Sequence, residues 1–192
     1  MNKDIEKAAE IIQNGGIVLL PTDTVFGICC RIDNENALKK LFAIKKRDLS
    51  QAVPILVSST EMVKAYARPF DEKVEKLMED YWPGGLTIIL PCQTEKVLPE
   101  VRGNGDTVGF RIPDMLPTFQ IIEKVGVPIV GTSANFHGKP SRTKWQELDP
   151  ELVKLVDFVL PEDSLGGVAS TVVDCSTPSW KILREGAVAL SV

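Results

Sequence analysis

The sequence has 192 residues, 44% of them hydrophobic, enough for one domain with a proper core over residues 1–192. A formal net charge of −4 argues against a protein whose whole surface grips nucleic acid, while leaving room for a local basic cavity. Four cysteines without a Cys-x-x-Cys pair, and a single histidine, His137, argue against a structural zinc site.

In chain order, Ile5, Ala8, Ala9, Ile11 and Ile12 recur with helical spacing, and Gly15-Gly16 ends that helix. This opening segment is charged and amphipathic, without the apolar run of a signal peptide, and predicts a cytoplasmic protein. "IVLLP" follows as a buried strand, "TDTVFG" as a connection and "VFGICC" as an extended segment. Cys29 and Cys30 read there as small apolar residues of a reducing compartment. Leu38, Leu41 and Phe42 mark a helix from Asn34 to Lys46, capped by Asp33 or Asn34. "VPILV" is a strand, Asp71 to Tyr81 a helix broken by "WPGG", and "LTIIL" and "DTVGFRIP" are strands. Leu116 to Val125 is helical, "VPIVG" is a strand, and "LVDFVL", "STVVDC" and "WKILRE" are extended. The alternation predicts an α/β (or α+β) fold with one twisted, mixed, open sheet flanked by helices. No apolar run approaches the roughly 20 residues that span a bilayer, so no membrane role is expected.

Several strand ends carry hydroxyls and glycines: Thr22-Asp23-Thr24, Thr132-Ser133 and Gly166-Gly167. In open sheets ligands gather outside such ends. Thr22 and Thr24 lie two apart and could face one site, or bond their own turn. "GTSANFHGKPS" presents Ser133, Asn135 and Ser141 between glycines, a composition suited to a phosphate or ribose. His137 is tempting as a general base, but a lone loop histidine is more often simply exposed, so it stays outside the catalytic set. Lys45 and Arg47 end a helix. They match its dipole, and they could clamp an anion if the chain there is extended. Arg111 and Arg184 sit in otherwise apolar strands, so each pairs with an internal carboxylate or points into a polar cavity. There is no G-x-x-x-x-G-K-[ST] or G-x-S-x-G, and "GNGDTVG" has the wrong spacing for a dinucleotide loop.

"GGIVLLPTDTVFG", "KKR", "YWPGGLTIIL", "GFRIP", "GTSANFHGKPS", "STVVD" and "ILREGAV" stand in one order over nearly the whole chain. In this the sequence resembles the YrdC/TsaC family of L-threonylcarbamoyladenylate synthases, in its short single-domain form. The family's Lys-x-Arg and Ser-x-Asn pairs correspond here to Lys45 with Arg47 and Ser133 with Asn135. The resemblance implies a twisted sheet around a large basic cavity. It implies a reaction joining L-threonine, bicarbonate (or CO2) and ATP into threonylcarbamoyl-AMP and pyrophosphate, with Mg²⁺ accompanying ATP and no tightly bound cofactor or metal. A TsaD-type complex would then pass the threonylcarbamoyl group to the tRNA adenosine beside the anticodon.

By matching motifs, Lys45 and Arg47 would be catalytic, touching both threonine and ATP. Thr24, Arg111 and Ser170 would bind threonine and its carbamate, and Ser133, Asn135, Ser141 and Arg184 would bind ATP. Two departures stand out. Phe26 replaces a more usual tyrosine, and "DLSQAVPIL" follows Lys-x-Arg where many members have prolines. Carbamoyl transfer of the hydrogenase-maturation type, a YciO-type relative and a non-catalytic RNA-binding module are the competing readings. The first lacks its zinc-binding cysteines here, the second departs from both residue pairs, and the third is disfavoured by net charge and by the lack of basic–aromatic interleaving.

Overall fold

The fold begins with one apolar helix face finding another. In α1 (Lys3–Gln13), Ile5, Ala8, Ala9 and Ile12 are buried, at the helical spacing that makes one stripe. They share a core cluster with Ile121, Ile122 and Val125 of α6 (Leu116–Val125). In this computed structural model, residues 3–136 and 138–190 are described. His137, set aside in the sequence reading, lies outside the described residues, as do the two residues at each end.

Between those helices the chain runs through β1 (Val18–Leu20), β2 (Gly27–Cys29) and α2 (Glu35–Lys45), then β3 (Ile55–Leu56), α3 (Thr60–Tyr66), α4 (Glu72–Tyr81), β4 (Leu86–Pro91), α5 (Pro99–Arg102) and β5 (Thr107–Arg111). After α6 come β6 (Ile129–Val130), β7 (Thr132–Ser133), a short 3₁₀ turn (Trp145–Glu147), α7 (Pro150–Val153), β8 (Phe158–Val159), β9 (Thr171–Asp174) and β10 (Lys181–Arg184). Asn34 is the cap of α2, its Oδ1 accepting from Ala37 N at 3.0 Å, which decides between the two candidates. Asp33 instead pairs with Arg31 at 2.5 Å. Among the described residues no helix is long and apolar enough to cross a membrane.

The strands divide between two mixed sheets where the sequence predicted one. The first has the order β7-β2-β1-β8 and the second β10-β9-β4-β5-β3-β6. They meet along a single segment. Ile129 and Val130 pair with β3 in the larger sheet, and Thr132 and Ser133 pair with β2 in the smaller one. Gly131 is the step between them, its N–H donating to Pro54 O at 3.0 Å. A Cβ there would stand 2.4 Å from Leu56 Cγ, so the close approach of β3 to this segment requires glycine. α3 was missed because it buries only Val63 and so leaves no stripe to read.

This junction yields a prediction. Gly131→Ala will lower the melting temperature, at a cost of about 1–3 kcal/mol from overpacking. Leu56→Ala removes the clashing Cγ at its own cavity cost, so the double variant will be less destabilised than the sum of the two single ones. A double-mutant cycle by denaturant melting checks it, and strict additivity would show that the two residues do not compete for the same space.

Candidate functional site

Two of the three polar segments, Thr22–Thr24 and Thr132-Ser133, converge on one cavity of about 410 Å³, while Gly166-Gly167 lies between β8 and β9 and is not among its lining residues. The cavity opens where the two sheets meet, outside the strand ends that favour ligand sites. Apolar surface comes from Phe26, Leu56 and Val172, and polar surface from hydroxyls and three arginines. Thr24, Arg47, Arg111, Ser133, Ser141, Ser170 and Arg184, all singled out from sequence, line this cavity. Lys45 and Asn135 are not among its lining residues.

Arg111 ends β5 with only 6% of its surface exposed. Its Nη2 donates to Asp23 Oδ1 at 2.5 Å, its Nη1 to Thr24 Oγ1 at 2.9 Å and its Nε to Gly84 O at 2.9 Å. Burial pulls the guanidinium below its ordinary value, and the Asp23 carboxylate works against that pull. Of the two alternatives open in the sequence, both hold: the arginine has an internal carboxylate and still faces the cavity. Asp23 Oδ1 also accepts from Asp114 N at 3.1 Å, so one carboxylate ties the connection after β1 to the turn after β5. Thr22 and Thr24 do face each other, with hydroxyl oxygens 2.9 Å apart. Thr22 also donates to Val25 O at 2.7 Å, so its turn is self-satisfied and Thr24 is the one that meets Arg111.

Across the cavity, Arg184 donates to Ser170 O from Nη2 at 2.7 Å and from Nε at 3.0 Å. Ser170 Oγ lies 2.8 Å from Thr87 Oγ1. Thr87 was passed over in the sequence, although it is the lone hydroxyl in the run "LTIIL". Arg47 donates from Nη2 to Ala52 O at 2.7 Å, while its buried Nε has no hydrogen-bond partner. Burial lowers Arg47 and Arg184 as it does Arg111. Each remains a cation, since arginine starts so high.

Lys45 and Arg47 are not joined by extended chain. α2 closes at Lys45 and Lys46 turns left-handed, with φ 50°. The Lys45 ammonium therefore points beneath the Ser133–Asn135 loop. It donates to Ser133 O, to Asn135 O at 2.9 Å and to Asn135 Oδ1 at 3.0 Å. Ser133 Oγ adds a bond to Asn135 Oδ1 at 2.7 Å. Three acceptors occupy the three protons of the ammonium, so Lys45 holds the cavity wall from behind while Arg47 faces the cavity.

Burial, with Arg47 alongside, pushes Lys45 down to about 8 from its usual 10.5. Between these values the native protein gives up the proton while the unfolded chain keeps it. The native state therefore gains stability as pH rises through that window, and below about pH 8 the cost of the buried ammonium is fully present. Denaturant midpoints of the wild type and Lys45→Met at pH 7.5 and 9.5 will show the difference moving in favour of the wild type. An unchanged difference would place the Lys45 ammonium in an ordinary, solvated setting.

A threonylcarbamoyl-AMP synthase of Bacillus subtilis is 32% identical over 185 residues, spanning 96% of this chain and 54% of that protein. The one from Vibrio campbellii is 30% identical over 187 residues, spanning 96% and 100%. The solved structure of Pyrococcus abyssi Sua5 complexed with L-threonine is 33% identical, with a TM-score of 0.88 over 95% of this chain and 54% of that one. The chain thus spans about half the length of the Bacillus and Pyrococcus proteins. The Sua5/YciO/YrdC family model, described as telomere recombination, matches residues 10–186, and the chain belongs to that family.

Proposed function

We propose that this chain is a threonylcarbamoyl-AMP synthase, joining L-threonine, bicarbonate (or CO2) and ATP into threonylcarbamoyl-AMP and pyrophosphate. One observation carries the reading. Arg47, Arg111 and Arg184 converge with the hydroxyls of Thr24, Ser133, Ser141 and Ser170 on one cavity, in a chain whose relatives bear that name.

The chemistry asks for such a site. The neutral threonine amine adds to CO2: the N–C bond forms as one C=O π bond opens onto oxygen, and the nitrogen releases a proton to solvent, leaving a carbamate. A carbamate oxygen attacks the α-phosphorus of ATP, the bond to the bridging oxygen breaks, and pyrophosphate leaves with the electron pair. Nucleophile and leaving group both belong to the substrates. The protein's share is to hold two anions in line against their mutual repulsion, by position and charge. We assign Thr24, Arg111 and Ser170 to threonine and its carbamate. Ser133, Asn135, Ser141 and Arg184 go to the nucleotide, and Arg47 to the junction between the two. Lys45 acts by fixing the loop that carries Ser133 and Asn135. Mg²⁺ enters as part of the MgATP substrate. Among the described residues the cavity lining offers hydroxyls and cations and no carboxylate, which suits a metal carried by phosphates rather than by the protein. The product is a reactive mixed anhydride, to be consumed in the cytoplasm by a TsaD-type complex acting on tRNA. A single methyl group is worth only about 1–3 kcal/mol in a pocket, so serine would be a slow alternative substrate.

Pyrophosphate release from purified protein with MgATP and bicarbonate will depend on added L-threonine. Arg47→Ala will cut kcat/KM for threonine by about 100-fold or more, and Asn135→Ala will act mainly on the KM for ATP. A folded protein that releases no pyrophosphate, or releases it equally without threonine, would sink the reading. Steeply salt-dependent RNA binding in its place would favour the binding module.

A further inference from the structure

A second pocket, of about 330 Å³, lies on the far side of the segment that carries Arg111. It is bounded by the end of α4, by Trp82, by the turn after β5, by the start of α6 and by Ser58. β3 and β5 are parallel neighbours, with Leu56 opposite Arg111. Ser58 and Ile112 therefore leave the carboxyl ends of adjacent parallel strands, where ligands are favoured. None of its lining residues was assigned to the reaction above.

Three features give this pocket a chemistry. The first is an orphan hydroxyl. Of the consecutive Ser58, Ser59 and Thr60, Ser59 caps α3 by accepting from Met62 N at 3.1 Å, and Thr60 donates to Glu61 at 3.4 Å. Ser58 is 6% exposed and its Oγ has no hydrogen-bond partner, although buried polar atoms are nearly always paired. The second is charge. Among the described residues the lining holds two carboxylates, Glu79 and Asp114, and no lysine or arginine. Neither carboxylate has an ion-pair partner among the described residues. The third is the wall itself, made of aromatic and thioether side chains: Trp82, Phe119, Met78 and Met115. Trp82 is held in place by its Nε1 donating to Leu86 O at 2.7 Å, and Leu116 at the rim is 67% exposed.

An apolar, aromatic-walled pocket edged by unpaired carboxylates selects a cation with an apolar body. We propose that this pocket is a second binding site, taking a small organic ammonium ion that carries an aromatic or branched apolar group. The body lies against Trp82 and Phe119, and the ammonium donates toward Glu79, Asp114 and the unpaired Ser58 Oγ. The site stands apart from the synthase reading. The two pockets share no lining residue and touch through the 82–84 and 111–114 segments, where Gly84 N donates to Ile112 O and Asp114 N to Asp23.

Phenethylamine and phenylacetate, the same ring with opposite charges, are the probes. They are titrated into the isotope-labelled 192-residue chain and followed by amide and indole N–H resonances. Phenethylamine is expected to shift the Trp82 indole and the amides of 112–119 saturably, binding about ten-fold tighter than phenylacetate. The Glu79→Gln/Asp114→Asn double variant will erase that preference, and Ser58→Ala will weaken phenethylamine alone. Equal affinity for the two probes, no saturable shift, or shifts confined to the first cavity would overturn the proposal. So would affinity unchanged in both the double variant and Ser58→Ala. Because the readout is binding, its failure is separate from any failure of the synthase assay.

Discussion

The arrangement of the first cavity depends on one buried ion pair. A guanidinium at the end of a sheet strand is a costly thing to bury. Arg111 is tolerated there because Asp23 supplies the countercharge at 2.5 Å and two further oxygens take its protons. The same Asp23 oxygen accepts from Asp114. The pair thereby joins the connection after β1 to the end of β5 and the turn beyond it, 88 and 91 residues away in sequence. Remove the carboxylate and the arginine loses its reason to stay inside, and the cavity loses the cation best fixed in direction.

The Lys45 ammonium solves a different problem. A loop rich in small polar residues has many conformations and few apolar contacts to choose among them. Three donors placed beneath it choose one, through the carbonyls of Ser133 and Asn135 and the Asn135 side chain. The left-handed turn at Lys46 is what separates the two cations of the Lys-x-Arg pair. One goes under the loop and the other to the cavity surface. A pair that looks like a two-pronged clamp in sequence is split in the fold, the ammonium bonded to the loop and the guanidinium lining the cavity.

Much of this was legible in the residues. Strong apolar periodicity gave α1, α2, α4 and α6, and short apolar runs gave the main strands. Hydroxyls at strand ends pointed to one cleft, because a strand end is where a polar residue meets a ligand rather than a core. The division into two sheets was not legible. It turns on Gly131, where a missing Cβ lets Leu56 approach, and only the neighbour in space reveals that. Thr87 escaped for the same reason: its partner Ser170 is 83 residues away. α5 and α7 are four residues each, too short for any period to show.

Net charge, the first thing read from the chain, says least about the site. The protein carries −4 overall, yet Arg47, Arg111 and Arg184 face one cavity and Asp23 pairs with Arg111 alone, leaving two positive charges in excess (three less one). No acidic residue is among the described residues that line this cavity. Charge is thus sorted by position rather than by composition. Fields inside a cleft with low-dielectric walls act more strongly than the same charges spread over a surface. With Arg47 and Arg184 uncompensated in such a cleft, its local potential is opposite in sign to the net charge of the molecule.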